Sequence, residues 1–408
     1  MQRGRHRKTR KENRRNVPGI AGKVKHTVKK CIVISDSFKG TLSSKDICAI
    51  AVQGVSRFFP GCQVITVPVA DGGEGTVDCF LEACGGTPVT ITVDGPYREP
   101  VAATYLRLND NHAVVEMASA AGLPMVGDNK NPCKTTTYGV GQQIRHAVEH
   151  GCRAITLGLG GSATNDGGCG CAAALGVKFL DAQGQCFIPV GETLDQIRAI
   201  DLTEAKALMQ DVKITVMCDI DNPMHGKTGA AYVFAPQKGA DPATVEFLDQ
   251  QLKSLDQTIR ETLGLDVSQV PGSGAAGAFG AGMLAFFGAE LKSGIETVLD
   301  LVDFDRLLDG CDLVFTGEGR LDHQSIDGKA ISGVARRAKA RHVPVVVVAG
   351  SISPEIEEDP LLYQLGVSAA FSINRQAQAF EESRHHAREN YTRTFHSILR
   401  LIQAAEAI

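Results

Sequence analysis

What this chain of 408 residues does without narrows what it can be. No apolar run approaches the roughly 18–20 residues that a membrane-spanning helix needs, so no transmembrane segment is expected. The twelve cysteines are scattered and form no C-x-x-C pair. A secreted disulfide framework belongs to a short chain, so these read as reduced core thiols in a cytoplasmic protein. Cys169 and Cys171 read as small buried hydrophobes rather than zinc ligands, and the histidines show no metal-ligand spacing. Met224-His-Gly-Lys-Thr228 imitates the end of a P-loop, but Asp221 stands where G-x-x-x-x-G-K-[ST] requires glycine. The H-R-D and D-F-G set of protein kinases is missing, as is the G-x-S-x-G elbow of hydrolases.

Positive charge is scarce beyond the start of the chain. Twelve of the 42 basic residues and one of the 46 acids lie in residues 1–30, giving that segment +11 and the remainder −15. An acidic body gives no general reason to bind nucleic acid. The basic head, residues 1–29, has almost no apolar residue and reads as a disordered extension. It lacks the apolar core of a secretory signal. An incidental extension explains it as well as a tether to RNA or an anionic surface does.

From Lys30 onward strand and helix patterns alternate, which argues for α/β architecture. Strands over 31–34 and 64–69, a Ser43-capped helix between them, and strands over 312–316, 343–348 and 369–373 fit one parallel sheet. Residues 88–108 and 114–117 read instead as antiparallel β-structure, 177–181 and 186–188 as a hairpin, and Asp241-Pro242 as the start of a long helix. The chain thus divides into a discontinuous parallel-sheet domain (30–87 with 289–408) and an inserted mixed domain (88–288).

In an open parallel sheet ligands bind at the carboxyl ends of the strands. Asp36 and Lys39, Asp71 and Glu74, Glu318 and Asp322, and Gly350 each follow a strand, so one edge should gather them. Residues 154–170 add a short apolar strand that breaks into six glycines between 158 and 170, with Ser162, Thr164, Asn165 and Asp166 among them. Such a turn brings backbone N–H groups close to a phosphate. A second glycine loop runs from 271 to 280. Clustered acids beside phosphate-cradling loops point to Mg-nucleotide binding and phosphoryl transfer.

Asp36-Ser-Phe-Lys-Gly-Thr-Leu-Ser, Pro68-Val-Ala-Asp-Gly-Gly-Glu-Gly-Thr76, Gly160-Gly-Ser-Ala-Thr-Asn-Asp-Gly-Gly168, Cys218-Asp-Ile-Asp-Asn-Pro223, Pro236-Gln-Lys-Gly239, the glycines from 272 to 277 and Thr316-Gly-Glu-Gly-Arg-Leu-Asp322 occur in this order. In these motifs the chain resembles the bacterial glycerate kinases, from about residue 30 to beyond 350. Ser35, where the family usually has proline, and the basic head depart from the pattern. The resemblance implies ATP-dependent phosphorylation of D-glycerate, with 2-phosphoglycerate the favoured product. It also implies a flavodoxin-like domain interrupted by a mixed α/β, restriction-enzyme-like domain.

Within that frame Asp71, Asp219 and Lys39 are the candidate catalytic residues. Glu74, Asp221 and Glu318 are the candidate magnesium ligands. Asp36, Ser37, Gly72, Gly73, Gly160, Gly161, Ser162, Thr164, Asn165, Asp166, Lys238, Gly272, Gly274, Gly277 and Arg320 are the candidates for holding substrate or phosphate. Any single acid among them could instead cap a helix or a turn. A kinase for another small hydroxy acid, or a non-catalytic sugar-acid sensor, are the alternatives. ATP, Mg2+ and D-glycerate are the implied cofactors and partner; nucleic acid and membrane are not expected, and the oligomeric state is open.

Overall fold

Two sheets carry the fold, and the computed structural model describes residues 27–69, 72–326, 330–357, 359–376 and 380–406 of it. In chain order the strands that build them are β1 (Lys30–Ser35), β2 (Gln63–Pro68), β3 (Thr87–Asp94), β4 (Pro100–Arg107), β5 (His112–Glu116) and β6 (Ala154–Gly158). They continue with β7 (Lys213–Met217), β8 (Glu290–Lys292), β9 (Leu313–Gly317), β10 (Val345–Ala349) and β11 (Val367–Ser372).

The first sheet is parallel throughout, in the order β11-β10-β9-β1-β2. Numbered among themselves these five strands read 2-1-3-4-5, the flavodoxin-like order, with its reversal between β1 and β9. Strands of such a sheet are covered on both faces, which is why Cys31, Ile32, Val33 and Ile34 are fully buried. The helix Ser44–Phe58 begins where Ser43 Oγ accepts from the Asp46 N–H at 3.0 Å, a cap worth about 1 kcal/mol. Its neighbour Ser44 donates from Oγ to the Ser35 carbonyl and accepts from the Val69 N–H, tying the ends of β1 and β2 together.

The second sheet is mixed, in the order β8-β7-β6-β5-β4-β3, with β5 to β8 parallel and β3 and β4 antiparallel. A small antiparallel sheet from Lys178–Leu180, Cys186–Phe187 and Ala199–Asp201 accompanies it; the hairpin was legible in the sequence, the third strand was not. The helix Pro242–Leu263 starts at Asp241 as expected and buries Leu248, Leu252, Leu255 and Ile259 completely.

An apolar cluster joins the sheets. Ile32, Ile34, Val67 and Phe80 pack in one core with Leu106, Val114, Met217 and Ile295. Two carboxylates of the mixed sheet reach out beside this core. Glu116, at the end of β5, accepts from the Val77 N–H in the first turn of the helix Thr76–Cys84. Asp219, two residues past β7, accepts at Oδ1 from Ser293 Oγ (2.9 Å) and the Gly294 N–H (2.8 Å), where the helix Gly294–Leu301 begins. Acids at helix N-termini satisfy N–H groups that the helix itself leaves open.

The domain limits 30–87, 88–288 and 289–408 remain a proposal. The pairing of β8 with β7 argues for carrying the insertion to Lys292, and β3 begins at Thr87. Of the basic head, residues 1–26 lie outside the described residues. Val28 and Lys29, assigned to it from composition, are tied down: their N–H groups donate to Glu406 and Asp312. Among the described residues no helix is long and apolar enough to cross a membrane.

Candidate active site

The carboxyl ends of the two sets of parallel strands face one cleft of about 1010 Å³. From the parallel sheet come Asp36, Ser37 and Lys39 after β1, Val69 after β2, Glu318 and Arg320 after β9, Ser351 after β10 and Asn374 after β11. From the mixed sheet come Gly160, Gly161 and Ser162 after β6, and Asp219 after β7. The loops after β1 and β9 flank the reversal in strand order, where an open sheet leaves a crevice.

The parallel-sheet wall presents charged side chains. Asp36 Oδ1 accepts from the Ser37 N–H at 2.6 Å, and the Asp36 N–H donates to the Gly317 carbonyl. Ser35, the departure from the family pattern, is buried and donates from Oγ to that same carbonyl at 2.9 Å. Arg320 leaves 70% of its side chain exposed, with Asp322 at 3.6 Å and Ser353 Oγ at 3.4 Å. Glu318 is nearly buried beside it.

The mixed-sheet wall is built from backbone. The Gly160 N–H donates to the Gly72 carbonyl at 2.8 Å, and a Cβ on Gly160 would stand 2.4 Å from Gly73 Cα, so only glycine fits. The Leu123 N–H donates to the Gly161 carbonyl and the Ala163 N–H to the Ala121 carbonyl, pinning the turn on both sides. Among the described residues neither the Gly161 nor the Ser162 N–H has an acceptor. Lys238, from the short helix Pro236–Lys238, is 2% exposed and donates from Nζ to Ser162 Oγ (2.8 Å) and the Thr164 carbonyl (2.6 Å). Burial pushes its ammonium down to about 7, against the attraction of Asp166.

Several candidates sit elsewhere. Thr164, Asn165 and Asp166 are fully buried and do not line the cleft. Asp166 accepts from the Thr137 N–H and Oγ1 and from the Gly168 and Gly170 N–H groups, a structural knot; burial raises its carboxyl above the usual range, against the pull of these bonds. Thr164 Oγ1 and both amide atoms of Asn165 have no hydrogen-bond partner among the described residues. Gly272, Gly274 and Gly277 pack on neighbouring loops rather than lining the cleft: Gly272 lies against Cys218 and Ile220, the Gly274 N–H donates to the Asn222 carbonyl, and Gly277 alone packs on the first glycine loop, at the Thr164 carbonyl. Gly72 and Gly73 are buried against residues 158 and 160. Glu74 and Asp221 are exposed and outside the lining, so the three candidate magnesium ligands do not gather. Asp71 lies outside the described residues.

The cleft also contains residues that the sequence reading passed over. Ser351 and Asn374 follow strands and obey the strand-end logic that already gathered Asp322. Gln237, inside the Pro236–Gly239 motif but not singled out, lines it too, as do Leu123, Phe234, Phe380, Arg384 and Asn390, without any motif to signal them.

Comparison with known proteins points to one family. The model of the Glycerate kinase family matches residues 31–403. A glycerate kinase of Bacillus cereus is 43% identical over 371 residues, 90% of this chain and 97% of that protein. A glycerate 2-kinase of Escherichia coli is 40% identical over 371 residues, again 90% and 97%. The crystal structure of a glycerate kinase 2 candidate from Salmonella typhimurium LT2 superposes with a TM-score of 0.82 at 38% identity, covering 94% of this chain and 100% of that one.

Proposed function

The chain belongs to the glycerate kinase family, and we propose that it transfers the γ-phosphoryl group of ATP to a hydroxyl of D-glycerate, the 2-hydroxyl in preference. The observation that carries this reading is the pairing of opposite chemistries across one cleft. Carboxylates and cations at the ends of β1 and β9 face a glycine turn with unclaimed N–H groups and a buried lysine.

Phosphoryl transfer asks little covalent chemistry of a protein; it asks for alignment and charge neutralisation. Asp322 on the lining, with the motif residue Asp71, is the carboxylate we assign to orient the acceptor hydroxyl and take its proton. Lys39 and Arg320 offset phosphate charge from one side, Lys238 and the 160–162 turn from the other. Magnesium that arrives with a nucleotide needs only one or two protein carboxylates. The donor set fits that: Glu318 with Asp36 would hold the ion, and no group of three or more ligating side chains occurs among the described residues. When bound, the ion neutralises phosphate oxygens.

The test is NMR of the products from D-glycerate, Mg-ATP and the full chain. ADP and 2-phosphoglycerate in equal amounts are expected. Turnover of another small hydroxy acid with none of D-glycerate would replace the substrate, and binding without turnover would favour a sensor.

A further inference from the structure

Lys238 is a cation placed where a cation is expensive. Both acceptors of its Nζ, Ser162 Oγ and the Thr164 carbonyl, are neutral. Asp166, the carboxylate whose field reaches it, is already engaged by four donors from Thr137, Gly168 and Gly170. A buried ammonium with neutral acceptors alone is costly, and a nearby opposite charge is the ordinary remedy. Lys130 packs its main chain on Gly239 beside it. The remaining charges, Asp36, Lys39, Asp219, Glu318, Arg320, Asp322 and Arg384, lie on the cleft lining.

An ammonium has three N–H groups, and two are used here. Lys238 lines the cleft together with Gly161 and Ser162, whose N–H groups have no acceptor among the described residues. A charged donor and two backbone donors in one turn make an anion nest.

We propose that Lys238 and the Gly161 and Ser162 N–H groups form an oxyanion subsite whose lysine takes up a proton as the anion arrives. Without ligand the amine, held near 7 by burial, is largely neutral at mildly alkaline pH. The oxyanion supplies the missing countercharge, Nζ gains one proton from solvent, and no other bond changes. This rests on the kinase reading of the cleft, in which the oxyanion is either the carboxylate of D-glycerate or a phosphate of the nucleotide.

Calorimetric titration of the full chain separates the two sources. D-Glycerate and a non-hydrolysable Mg-ATP analogue are titrated separately, in buffers of different ionisation enthalpy, so that bound protons are counted. For one of the two ligands, uptake of about 0.9 proton at about pH 8 and about 0.1 at about pH 6 is expected. Lys238→Met, nearly isosteric and apolar, should remove that uptake and weaken the same ligand at least about tenfold. Lys238→Arg, charged at every working pH, should bind without uptake. Uptake no greater in wild type than in Lys238→Met, for both ligands, overturns the proposal, as does binding of neither. If wild type fails to bind D-glycerate, the substrate reading falls while the nucleotide arm still decides the role of Lys238.

Discussion

On the parallel-sheet wall Arg320 leaves 70% of its side chain in solvent and Lys39 is exposed, whereas on the facing wall Lys238 is 2% exposed and the donors beside it are main-chain N–H groups. One wall meets a ligand with side chains that can adjust, the other with a turn pinned by Gly72, Ala121 and Leu123. Adjustable groups lose rotamer freedom on binding, while a pinned turn has met that cost during folding. The division suits phosphoryl transfer, in which one partner must be held still and the other aligned to it.

The largest effect is expected at an acid of the strand-end motifs. Asp71 follows β2 in sequence and lies outside the described residues, so its prediction comes from its motif. Asp71→Asn should cut kcat by at least ~10², the scale for a positioned acid–base group. Steady-state kinetics decide it, and a kcat within about twofold of wild type removes Asp71 from the mechanism.

The backbone wall should break next, and selectively. Gly160→Ala drives a methyl to 2.4 Å from Gly73 Cα and 2.7 Å from Gly73 N, so main chain must move. A misplacement of about 1 Å costs on the order of 10²-fold in turnover. Gly161→Ala has open space, with Ala118 Cβ at 3.6 Å, and bears only the strain of φ +76°. That strain is worth about 1–2 kcal/mol of stability. Melting curves with and without Mg-ATP distinguish them. An intact site at roughly 100 Kd gains about 2.7 kcal/mol, which Gly160→Ala should lose and Gly161→Ala largely keep. Equal ATP shifts in both variants would mean that the contact of residues 72 and 73 with 160 does not set the site.

Asp219 tests whether a residue can stand on the lining and still serve the fold. Its Oδ1 holds Ser293 and Gly294 at a helix start. Asp219→Ala should lower stability by about 1 kcal/mol, the worth of a cap. Asp219→Asn keeps an acceptor oxygen, so its melting temperature should stay near that of wild type. A roughly tenfold loss of turnover in Asp219→Asn would then belong to the chemistry rather than to the cap. An asparagine variant as unstable as the alanine one would refute the capping role.

The same contrast explains what could be read from the sequence. Asp36, Lys39, Glu318 and Arg320 were legible because strand-end position and residue type together determine where such groups go. Thr164, Asn165 and Asp166 misled because a polar residue in a glycine turn looks the same whether it meets a ligand or knots the fold. Only the donors from Thr137, distant in the chain, reveal Asp166 as internal. The glycines at 272, 274 and 277 are real constraints, but they admit neighbouring backbone rather than phosphate. Phe380, Arg384 and Asn390 reach the cleft from a segment with no motif, so tertiary structure alone brings them in.

The smallest effect is expected at Arg320, and it sharpens the comparison from the other side. Its contacts, 3.6 Å to Asp322 and 3.4 Å to Ser353 Oγ, are loose and solvent-facing. Exposed pairs of this kind contribute about 0–1 kcal/mol, so Arg320→Ala should leave stability within about 0.5 kcal/mol of wild type. If the guanidinium grips an oxyanion, the variant loses a charge-assisted bond. Solvent exposure keeps that bond at the lower end of its range, about 1.5 kcal/mol, or roughly tenfold in KM. Ground-state binding of this sort leaves kcat nearly unchanged. Arg320→Lys should recover only part of the KM, because an ammonium lacks the planar fork. The effect should also shrink as salt is raised, since exposed charges are screened. A loss confined to kcat and indifferent to salt would move Arg320 from holding the substrate to stabilising the transition state, and the flexible wall would then share the rigid wall's task.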